Sequence, residues 1–322
     1  MSGHCHVVSF YRFVSLPAHA SLREPLLEAG RSRGLVGTVL LAPEGINATL
    51  AGDRAGLTAF LDRLADHKGL QAMQGVWSEA DEAPFRRLRV RLRAEIVSLG
   101  RPDLDVPALT GERVAPRDWN RLIADPETLV IDTRNRYEID VGRFPGAIDP
   151  GTGSFRDFPG FVAQRLAGDR ERPVAMYCTG GIRCEKATAM MRELGFRRVY
   201  QLEGGILRYL EEMADSPENR WQGECFVFDS RVAVDQRLAP GHYVQCHACR
   251  RPLSPDDLSS SHYRPGVSCP HCHDELEPGR AGRLAERRRQ VELAASRGEK
   301  HIGAAHRAAD AGQQGVRRSG RG

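Results

Sequence analysis

In Val174-Ala175-Met176-Tyr177-Cys178-Thr179-Gly180-Gly181-Ile182-Arg183, four apolar residues run straight into a cysteine, two glycines and an arginine. A short apolar run closed by turn residues reads as a buried strand. Beyond it, Ala187, Met190, Met191 and Leu194 recur at helical spacing and Gly195 stops the pattern, so the glycine turn joins a strand to a helix. Working outward, residues 129–131 form a second short apolar run, ending in Asp132-Thr133-Arg134, and residues 199–202 form a third. Strands alternating with helices at this spacing predict an α/β unit whose largely parallel sheet is covered by helices on both faces. In such sheets the site lies beyond the carboxyl ends of the strands, where Cys178, Asp132 and Arg134 all fall.

A free thiol, with a pKa of about 8.5, is a poor nucleophile until something stabilises its anion. Gly180 and Gly181 let the backbone curl so that successive N–H groups point inward as an anion nest. The helix that follows adds the positive end of its dipole, and Arg183 adds a full charge. The candidate catalytic pair is therefore Cys178 and Arg183, with Thr179, Gly180, Gly181 and Ile182 shaping the loop. The bland alternative is a buried structural cysteine at a strand end. Cysteine-dependent phosphatases use Cys-x5-Arg to ring a phosphate; here the spacing is Cys-x4-Arg, and the smaller cup suits a single sulfane sulfur held as a persulfide. Cys184, one turn into the helix, either resolves such a persulfide or only packs there. Asp132 and Arg134 either orient the loop, through its N–H groups or Arg183, or cap the following helix.

The first hundred residues also alternate strand and helix signals. Residues 7–14 read as a strand, 22–29 as a helix, and 36–42 with 46–51 as a hairpin around Pro43-Glu44-Gly45. Leu57, Phe60, Leu61 and Leu64 mark a helix face, and later strands fall at 76–77 and 88–92. The order βαββαβ is that of a ferredoxin-like α+β domain over residues 1–100. Leu88, Val90 and Leu92 alternate with Arg87, Arg89, Arg91 and Arg93, giving a basic sheet face that either meets a phosphate backbone or is simply solvated. Proline and aspartate suggest a linker at 101–120, ahead of the central domain at 121–217.

Four of the eight cysteines form Cys246-x2-Cys249-x19-Cys269-x2-Cys272 within residues 218–278. Two such knuckles close a tetrahedron around Zn²⁺, and four thiolates leave no open position, so this zinc-ribbon-like segment is expected to hold structural zinc. The cysteine usage suits a reducing, cytoplasmic setting, and no run nears the roughly 18 apolar residues of a membrane helix. Residues 279–322 form a basic tail: from Arg280 onward there are 11 Lys+Arg against 4 Asp+Glu, a net of +7 in a chain whose total is +4. A weak helix is expected at 284–295 and disorder over the last twenty or so residues. Arg287, Arg288 and Arg289 are the tail's candidate RNA contacts, unless the tail is merely solvated. With 41% hydrophobic and 27% charged residues, a packed globular core is expected.

The loop residues, with Asp132-Thr133-Arg134, Gly142-Arg143-Phe144-Pro145-Gly146-Ala147 and Glu203-Gly204-Gly205-Ile206, resemble a rhodanese domain. The longer string from Cys178 to Ala187, together with Ala42-Pro43-Glu44-Gly45-Ile46-Asn47-Ala48-Thr49, is similar to the oxygen-dependent tRNA uridine hydroxylases. That resemblance covers most of the chain. It implies hydroxylation of the wobble uridine in the tRNA anticodon to 5-hydroxyuridine, with Cys178 required and molecular oxygen as co-substrate. No flavin, nicotinamide, haem or iron fingerprint accompanies it, so no organic cofactor is expected. Two other readings stay open: a sulfurtransferase moving sulfane sulfur, and a non-enzymatic, redox-sensing RNA-binding module.

Overall fold

The computed structural model describes residues 5–298 except 74 and 81. The expectation of a disordered terminal stretch lies outside the described residues. The chain divides into two compact units, residues 1–241 and 242–322.

The first unit opens with the predicted βαββαβ order: β1 (Cys5–Phe13), α1 (Arg23–Arg31), β2 (Val36–Ala42), β3 (Gly45–Gly52), α2 (Arg54–Ala65) and β4 (Val76–Ala80). The sheet order is β4-β1-β3-β2, with β5 (Leu88–Leu92) added parallel to β2 at the edge. Alternation along each strand sorts the faces. Val8, Phe10, Val39, Leu41, Ile46, Leu50 and Val90 pack on Leu26, Leu57, Phe60 and Leu64 of the two helices, while Ser9, Tyr11, Thr38, Asn47 and Thr49 face a cleft. In register, Arg89 lies beside Thr38 and Arg91 beside Leu40, so these arginines extend the cleft-facing side of the sheet.

The stretch expected as a linker is instead structural. It carries α3 (Val106–Leu109) and β6 (Glu112–Val114), and Leu104 and Val106 are buried in the next core. Its polar composition hides the few apolar anchors that a single edge strand and a one-turn helix need. The central sheet is parallel, ordered β6-β10-β9-β7, from β7 (Leu129–Asp132), β9 (Val174–Tyr177) and β10 (Val199–Leu202). Around it lie α4 (Pro116–Ala124), α5 (Arg136–Ile139), the short β8 (Gly142–Arg143), α6 (Phe158–Arg165), α7 (Ile182–Glu193) and α8 (Gly205–Met213). One core joins α3, α6 and α7 to the sheet and another joins α4 and α8 to it, as expected for helices on both faces. Phe144 is the hub of the second core, with Tyr177, Tyr209 and Trp221 edge-on at 4.9, 4.8 and 5.1 Å between centroids. Residues 218–241, grouped from sequence with the paired cysteines, belong here: Trp221, Cys225 and Val234 are buried in this same core. Leu194, read as part of the apolar face of α7, is 41% exposed and ends the helix.

In the second unit, Val244–Gln245 pairs with Pro252–Leu253, α9 spans Pro255–Ser259 and α10 spans Pro278–Ser296. The tail helix is thus longer than its weak pattern suggested. Pro278 starts it, and the ion pairs Arg288–Glu292 and Arg289–Glu286 support it. Among the described residues no helix is long and apolar enough to cross a membrane.

Candidate active site

Cys178 follows the last residue of β9, and Asp132 ends the adjacent β7. Between Cys178 and α7, the loop is held from outside. Ile206 and Leu207, at the start of α8, donate backbone N–H groups to the carbonyls of Cys178 (2.9 Å) and Thr179 (3.1 Å). With its carbonyls turned toward α8, the loop is left to direct N–H groups at the sulfur. Gly181 N–H reaches Cys178 Sγ at 3.1 Å, with further help from the amides of Arg183 and Cys184. Gly205 permits this approach, since a Cβ there would lie 2.5 Å from the Cys178 carbonyl oxygen and 2.8 Å from Gly181 N. Gly181 has φ +93°, a left-handed conformation that favours glycine.

The side chain of Cys178 is fully buried, yet the residue lines a cleft of about 1430 Å³ whose opposite wall is the polar face of the first sheet. Burial pushes its thiol up, but a hydrogen bond from Cys184, the Arg183 charge and the loop amides outweigh it, bringing the pKa down to about 6. Cys184 moves the other way. Burial and the neighbouring Cys178 anion push it well above its ordinary range, leaving it protonated as a donor and in contact with Thr133 Oγ1 at 3.6 Å. The site therefore holds one thiolate and one thiol side by side.

Arg183 is placed at the cup as expected, but its partner is not Asp132. It makes a bidentate pair with Glu138 of α5 at 2.6 and 2.7 Å, both side chains buried. Asp132 instead pairs with Arg134, whose Nη2 also donates to the Gly142 carbonyl at 2.6 Å. Asp132 and Arg134 thus fasten β7 to the α5–β8 turn, and the N-cap of α5 is Asn135 in a capping box with Glu138. Glu138 was invisible from sequence because nothing local ties it to a loop 45 residues away. The capping-box spacing Asn135-x2-Glu138 was the available signal.

Three further groups were missed. Glu185, buried on α7, accepts from Arg113 at 2.8 Å, from Gln201 at 3.1 Å and from Thr110, and Tyr11 of β1 reaches it at 3.4 Å. The Tyr11 hydroxyl also stands 2.7 Å from where a Gly181 Cβ would be, so the first domain touches the sulfur loop directly. Lys186, with no exposed surface, bonds Glu44 at 2.7 Å and Glu95 at 2.6 Å. The two motifs that carried the sequence resemblance, the Glu44 turn and the Cys178 loop with its helix, therefore meet across the domain boundary.

In the second unit, the sulfurs of Cys246, Cys249, Cys269 and Cys272 all lie within 4.8 Å of one another, with Cys249–Cys269 at 3.7 Å and Cys269–Cys272 at 3.6 Å. Four thiolates around a tetrahedral ion with bonds of about 2.3 Å stand about 3.8 Å apart, so the group can hold a metal. Of the tail arginines, Arg288 and Arg289 are ion-paired along α10 and Arg287 is exposed.

A parallel sheet with a cysteine loop at the end of β9 defines a rhodanese-domain protein, and residues 115–212 match the rhodanese-like domain. Residues 5–96 match the UPF0176 acylphosphatase like domain. A protein of Teredinibacter turnerae named tRNA uridine(34) hydroxylase is 50% identical over 92% of this chain and 92% of its own length. One of the same name from Agrobacterium fabrum is 50% identical over 94% of this chain and 96% of its own. The chain belongs to the tRNA uridine(34) hydroxylase family.

Proposed function

We propose that this protein hydroxylates the wobble uridine of tRNA to 5-hydroxyuridine, with Cys178 as the reacting group. The observation that carries the reading is Cys178, its sulfur accepting from Gly181 N–H at 3.1 Å in an amide-lined cup at the wall of a cleft that both domains build, with Cys184 buried in the same core. Family membership supplies the substrate: both relatives carry uridine(34) hydroxylase in their names. A wobble base is already single-stranded, so little unstacking free energy is needed to bring it into a cleft. Arg89 and Arg91, on the cleft-facing side of β5, and Arg87 before it would follow the phosphates.

The electrons balance on the residues present. Putting one oxygen atom of O₂ into the C5–H bond of uridine releases the other as water and consumes two electrons and two protons. Oxidation of the Cys178 thiolate and the Cys184 thiol to a disulfide supplies the two electrons and one proton, and the second proton comes from solvent. A persulfide on Cys178 would occupy the same cup. Zinc in the Cys246, Cys249, Cys269 and Cys272 cluster would be structural, since its four sulfurs leave no position for substrate.

Nucleosides from cells lacking the gene, complemented with wild type or Cys178→Ser, test the reading. We expect 5-hydroxyuridine to vanish, to return with wild type and to stay absent with the variant. Full recovery with Cys178→Ser would overturn it. Loss of a thiolated base instead would favour the sulfurtransferase reading, to which the Cys-x4-Arg loop is equally suited.

A further inference from the structure

Burial of an aromatic ring is among the larger contributions one side chain makes to a fold. Phe228 forgoes it: at 62% it is the most exposed large hydrophobic among the described residues. It is nevertheless well held. The ring of Phe226 meets it edge-on at 5.1 Å, and Tyr137 braces Phe226 at 5.4 Å. On its other side Asp229 takes a bidentate pair from Arg231, which also donates to Ser78 of β4 at 3.1 Å. The guanidinium of Arg183 lies 5.8 Å from the Phe228 ring centre. Phe228 lines the same cleft as Cys178 and Gly180.

A braced, solvent-facing ring in the cleft that holds the reactive sulfur buries little of its own surface, and what it offers is a flat apolar face. The cleft around it is polar, lined by Arg12, Asn47 and Thr49 and by Arg113 and Arg208 in pairs with Glu185 and Glu203, which suits the polar backbone of a nucleic acid better than an apolar chain. Single-stranded RNA is bound in this manner, with bases stacked on aromatic rings and phosphates on arginines. The geometry points to Phe228 as the stacking platform for the unpaired nucleobase that enters the Cys178 cup. This inference rests on tRNA being the substrate, as proposed above, and adds the residue that holds the base.

The test uses the full-length protein and an RNA hairpin of an anticodon stem-loop with uridine at the wobble position. In Phe228→Trp, fluorescence beyond that of the three native tryptophans should be quenched as the hairpin binds. In Phe228→Leu and Phe228→Ala, Kd for the hairpin should rise about tenfold, within the roughly five- to hundredfold range of one stacked base, and Phe228→Tyr should recover most of the loss. The alkylation rate of Cys178 reports whether the cup is intact in each variant. An unquenched tryptophan, or a Kd in Phe228→Leu equal to wild type, would overturn the platform. If quenching and the Kd pattern hold while cells expressing wild type make no 5-hydroxyuridine, the platform stands and the proposed reaction fails.

Discussion

Arg183 does two jobs at once, because its guanidinium both neutralises the buried Glu138 and lowers the Cys178 thiol. Removing it should show both. Arg183→Ala should slow alkylation of Cys178 at pH 7, and should destabilise the protein by about 3–5 kcal/mol because Glu138 is left buried and unpaired. Arg183→Ala with Glu138→Ala should regain much of the stability but none of the alkylation rate, measured by urea melts and iodoacetamide kinetics. A second consequence follows from linkage. The folded pKa of Cys178, about 6, lies below the roughly 8.5 of a free thiol, so the thiolate's stabilising effect is complete above about pH 9 and is lost as pH falls through 6. Stability of wild type relative to Cys178→Ser should therefore climb between pH 6 and 9 and stay flat below. A constant difference would mean the anion is not held.

Among elements, β5 carries the arginine row. Burial and the repulsion of Arg87 and Arg91 both lower the pKa of Arg89, as expected for like charges gathered on one face. Replacing Arg89 and Arg91 by Ala should weaken tRNA binding and reduce the slope of log K against log salt by about 0.7 for each contact to single-stranded RNA. The same change at Arg288 and Arg289 of α10 should matter less, since glutamates on their own helix already partner them. The cysteine knuckles make a separate prediction. Cys246→Ser or Cys269→Ser should release about one zinc per chain and unfold the segment around them, measured by metal analysis and circular dichroism. A chain purified without metal, yet with that segment folded, would refute a structural ion.

At the scale of the whole molecule, Lys186 is the fastening between the first domain and the helix that carries Cys184. It sits among Glu44, which burial pushes up, and Glu95, which its bonds to Lys186 and to the amides of Leu99 and Gly100 hold down against burial. Lys186→Met should leave two buried carboxylates facing each other. The expected loss is about 3–5 kcal/mol, read as a fall in urea midpoint. It should also cost activity on tRNA, since Tyr11 and Arg12 would no longer stand across the cleft from the sulfur.

How much of this was legible in the sequence follows from the range of each interaction. The strand, the glycine turn and the helix around Cys178, the βαββ pattern with its hairpin, and the paired cysteines are local: periodicity, turn residues and ligand spacing specify them within a few positions. A polar stretch such as residues 102–116 misled because one edge strand needs few apolar residues. By itself the sequence determined the two α/β patterns, the cysteine loop and the two Cys-x2-Cys turns, since each is set by neighbours along the chain. Only the tertiary structure decided that Arg183 pairs with Glu138, that Lys186 joins Glu44 and Glu95, and that Tyr11 and Phe228 stand around the cup. Buried charges must find partners wherever the fold brings them, and that choice is made by packing, across separations in the chain that no local pattern spans.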